Sequence, residues 1–149
     1  GFMTKSVRIG AVDWRDPAWA GPFYPPDMPD EWRLSYYSSQ YNCVFLKASA
    51  WRQTTPAELA QWCEDVHDQF VFLLEDDENS TLPEALAHKA IVIKPTDPRI
   101  LWIDRNSDLK KLVAAINAWE DGKDLYLISR DGDPARMERL VTLLELMGL

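Results

Sequence analysis

Glycine is scarce in this chain, with six in 149 residues, and none lies in a phosphate-cradling pattern. Nucleotide fingerprints need glycines on a fixed spacing, because a side chain would keep backbone N–H groups away from the phosphates. Neither GxGxxG nor GxxxxGK[ST] occurs, and HExxH and GxSxG are missing as well. The two histidines, His67 and His88, stand far from each other, with no cysteine at zinc-ligand spacing. No metal and no cofactor is expected. Cys43 and Cys63 lack a CxxC partner and read as free thiols of a reducing compartment. No apolar run approaches the roughly 20 residues that span a bilayer. Lys5 and Arg8 are not followed by the apolar stretch of a secretion signal. The cytoplasm is therefore the expected location. Basic residues are also few, 16 against 24 acidic, for a net charge of −8. A chain this acidic is not expected to bind nucleic acid or an anionic membrane.

What is present suits one domain over residues 1–149, large enough to hold a core without disulfides or a structural metal. The leading Gly1-Phe2 before Met3 reads as a cloning scar and is set aside. Short β-branched or apolar runs mark strands at Val7–Val12, Cys43–Ala48, Phe70–Leu74, Ala90–Ile93, Ile100–Ile103 and Leu125–Ile128. Helical spacing of Trp32, Tyr36 and Tyr37 predicts a helix after the aromatic loop at 16–29. Thr55-Pro56-Ala57-Glu58 is a helix start, with Thr55 as cap and proline in the first turn. A short helix is expected around Pro83–His88, one capped by Ser107, and a last one opened by Asp133-Pro134. The order is β-α-β-α-β-(α)-β-β-α-β-α. Such alternation implies an α/β fold with a mostly parallel sheet of about five to six strands flanked by helices.

In α/β folds, ligands collect beyond the C-terminal ends of the strands. That rule selects Asp13, Lys47, Glu75 and Asp104 as candidates for acid–base chemistry. It selects Trp14, Trp51, Arg52, Arg105 and Arg130 as candidates for binding a small polar ligand. Lys47 and Glu75 are equally suited to a plain ion pair. Seven tryptophans are unusual and suit a core or an interface, and a further reading is an interaction module with Trp19, Phe23 and Tyr24 as an exposed aromatic patch.

Ile9-Gly10, Trp14, Trp19-Ala20-Gly21, Phe23-Tyr24-Pro25, Trp32, Leu34 and Tyr36-Tyr37 resemble the opening of the YecE-like family, domain of unknown function 72. Its members read IGTSGW, then a W-x-G-x-FYP loop, then an aromatic helix ending in YY. Tyr41–Val44, Trp51-Arg52, Pro56, Glu58, Trp62, Phe70 and Phe72 continue the resemblance. Ile100–Ile103 is similar to the family's YVRLHG strand, and Trp119, Gly122 and Asp124–Leu127 to its W-x-x-G-x-DVYVYF segment.

The resemblance implies a TIM-barrel-like fold, but such barrels take about 250 residues. This chain is expected to form an incomplete barrel-like arrangement, shortened between Asp76 and Pro98. An exposed edge would then pair with a second copy, as a homodimer. The family's polar positions have changed class. Its glycine before the first tryptophan is Asp13 here. The Glu and Asn of its VEIN strand are Phe45 and Lys47, and the Lys of FAVK is Glu75. The Arg and His of YVRLHG fall on Trp102 and Asp104. Phenylalanine and tryptophan cannot make the hydrogen bonds of a charged pair. The expectation is a binding or structural domain with a degenerate strand-end site, rather than an enzyme. The alternative is an enzyme acting on a small sugar or phosphate-bearing substrate through a rebuilt site.

Overall fold

The structure, a computed structural model, describes residues 5–149. The segment read as a cloning scar lies outside them. Apart from α2, which takes Ala48 out of the expected second strand, elements follow the order expected from the sequence: β1 (Ser6–Ala11), α1 (Arg33–Gln40), β2 (Cys43–Leu46), a one-turn α2 (Ala48–Trp51), α3 (Pro56–Asp65) and β3 (Val71–Glu75). Then come β4 (Ala90–Ile93), β5 (Ile100–Ile103), α4 (Leu109–Ala118), β6 (Asp124–Ser129) and α5 (Pro134–Leu146). The helix expected near Pro83 is a single 3-10 turn, Glu84–Leu86.

Local chemistry explains the helix starts. The Thr55 hydroxyl accepts from Glu58 N at 3.2 Å and Pro56 fills the first turn of α3. The cap of α4 is Asp108 and not Ser107. The Ser107 hydroxyl is drawn backwards, accepting from Asp104 N at 2.9 Å, so the Asp108 carboxylate takes the amides of Lys110 and Lys111.

All strand pairs are parallel and form two three-stranded sheets, β1-β6-β5 and β2-β3-β4. β1 and β2 join the sheets at one parallel bridge, Val12 to Phe45, beside the bond from Asp13 N to Phe45 O at 2.9 Å. Gly10 allows this contact. A Cβ there would lie 1.9 Å from Cys43 O. The Tyr37 hydroxyl fills the remaining gap, accepting from Ala11 N at 2.9 Å and donating to Cys43 O at 2.7 Å. Two backbone groups that the splayed strands leave unpaired are thereby satisfied. β4 and β5 do not pair with each other, so the six strands close no barrel.

Two apolar layers result, because alternate residues of a strand point to opposite faces. On one face, Ile9, Val44, Phe72, Leu74 and Leu127 meet the helices. On the other, Phe45, Leu73, Ile93, Ile100, Tyr126 and Ile128 come from both sheets into a single cluster, so the sheets curl toward one another. Among the described residues, no helix is long and apolar enough to cross a membrane.

The aromatic loop is not an exposed patch. Trp19 and Tyr24 are buried and Phe23 is half-buried. Trp19 stacks on Tyr37 at 6.1 Å, and its indole N–H donates to Gly132 O at 2.8 Å. These rings roof α1 and tie the start of the chain to its end. Among the described residues, the large exposed aromatic is Trp32, at 61 %.

Candidate functional site

The C-terminal ends of β2, β3, β5 and β6 project one further position beyond the inner cluster. Continuing the alternation from Phe45, Leu73, Trp102 and Ile128 reaches Lys47, Glu75, Asp104 and Arg130. Three of the four candidate acid–base residues thus share a face. The fourth, Asp13, follows β1 directly.

What these side chains touch is mostly their own backbone. Asp13 Oδ1 accepts from Trp14 N (2.7 Å), Arg15 N (2.9 Å) and Arg15 Nε (2.9 Å), and Oδ2 accepts from an Arg15 terminal nitrogen at 2.7 Å. Burial pushes this carboxyl up, but the Arg15 guanidinium and the two amides outweigh it and hold the group below its ordinary value. Glu75 does not pair with Lys47. Its Oε1 accepts from Ala48 N at 2.8 Å, at the start of α2. Asp104 Oδ1 accepts from Asn106 N at 2.8 Å within its own turn. Lys47 is exposed and has no ion-pair partner among the described residues. Among those residues no hydrogen bond joins any two of the four.

The centre of this face is filled with aromatic carbon. Phe45 and Trp102 meet edge to face, with ring centroids 5.2 Å apart, at the positions where the resembling sequences carry Glu and Arg. The Trp102 indole N–H donates to Pro95 O at 2.9 Å, and the Arg130 guanidinium lies 4.9 Å above the Trp102 ring.

The other binding candidates are dispersed. Trp14 is buried among the helices, edge to face with Trp62 at 4.8 Å, because the left-handed backbone at Asp13 (φ 65°) turns the chain away from the strand ends. Trp51 is buried, and its indole N–H donates to Glu75 O at 3.1 Å. Arg52 pairs with Asp77 in the loop after β3. Arg105 is exposed and lies 3.9 Å from Asp131. No group of three or more metal-ligating side chains occurs among the described residues.

Three surface clefts are formed away from Asp13, Lys47, Glu75 and Asp104, none of which lines any of them. One of the three, of about 540 Å3, lies between the start of α1 and the side of α3. Of the sequence-selected site candidates, Trp14 alone lines it. Its walls come from Arg33 and Leu34 on one helix and Glu58 and Trp62 on another, and only packing brings them together.

The chain is thus a curled, mostly parallel α/β domain whose strand-end face carries an aromatic plug. The family described as "Protein of unknown function DUF72" matches residues 8–90, more than half the chain, and the chain belongs to that family. The match runs from β1 to the first residue of β4. No curated protein and no solved structure matches the chain.

Proposed function

We propose that this chain is a non-catalytic binding or structural domain, and that its strand-end site is degenerate. The observation that carries this reading is the Phe45–Trp102 contact, 5.2 Å between centroids, in the middle of the strand-end face. A reacting group would have to displace it. The fixed carboxylates support the same reading. Asp13 is saturated by Arg15, Glu75 caps α2, and Asp104 closes a turn. A general base needs a lone pair aimed at substrate, whereas both oxygens of Asp13 and one oxygen each of Glu75 and Asp104 are bound within the fold.

The test is a thermal-shift screen against sugars, sugar phosphates and nucleotides, repeated on Asp13→Ala and Lys47→Ala. The proposal expects no ligand whose stabilisation disappears in both variants. A saturable rise in Tm lost in both would establish the rival reading, an enzyme or a small-polar-ligand binder working at the strand ends.

The open edges of β4 and β5 support a second element of this proposal, a homodimer. Edge strands present unpaired backbone groups, and pairing with a second copy covers them. Light scattering across a dilution series checks it, and a monomer at high concentration rejects it.

A further inference from the structure

No further inference is drawn: the strongest candidate, the apolar cleft of about 320 Å3 between the open edge of β5 and the flank of α4, is lined by Leu101, Ile103, Leu112 and Ala115, and nothing in the structure shows what covers it.

Discussion

Asp13 occupies a left-handed backbone position, φ 65°, where the resembling sequences carry glycine. Aspartate tolerates that region when its side chain can bond local amides, and here it bonds two amides and a guanidinium. Asp13 is therefore a turn-forming residue. Its lowered folded-state pKa contributes stability that is present above the unfolded value near 3.8 and is lost as pH falls through the folded value. Asp13→Asn should lower Tm at pH 7 and flatten the acid limb of the Tm–pH curve below about pH 4. Equal loss at all pH would contradict the Arg15 pairing. Tyr37 makes a second test. Tyr37→Phe strands Ala11 N and Cys43 O and should cost about 2 kcal/mol in chemical denaturation. Gly10→Ala drives a Cβ into Cys43 O and should cost about 3 kcal/mol or more. A Gly10→Ala protein as stable as the parent would contradict the close approach of β1 and β2.

At the scale of elements, the sequence was legible where one local rule decides. β4 and β5 were readable to the residue, because each is a short apolar run bounded by Pro or a polar residue. Thr55 was readable as a cap because the geometry lies within one turn, and Thr55→Ala should cost about 1 kcal/mol of stability. Ser107 failed as a cap because Asp104, three residues back, competes for its hydroxyl. The site was less legible. Strand ends locate residues but not the direction of their lone pairs. Glu75 meets Ala48 N and not Lys47 because α2 begins directly beside it. The aromatic loop misled for a related reason. Trp19, Phe23 and Tyr24 are close in sequence, but their covering comes from Tyr36, Tyr37 and Gly132. Of the cleft's lining the sequence marked only Trp14, since Arg33 and Glu58 are separated by β2 and α2.

At the scale of the molecule, two parallel sheets share one inner cluster and remain open between β4 and β5. The DUF72 match covers β1 to the start of β4, and the inner face is filled by side chains. On the proposed reading, this filling, centred on Phe45 and Trp102, leaves no ligand site at the strand ends. The most direct measurement is a Tm series for the wild type and Lys47→Ala against sugars, sugar phosphates and nucleotides at saturating concentration. The same Tm shifts are expected in both proteins for every compound. A compound that stabilises the wild type and not the folded Lys47→Ala variant would contradict it.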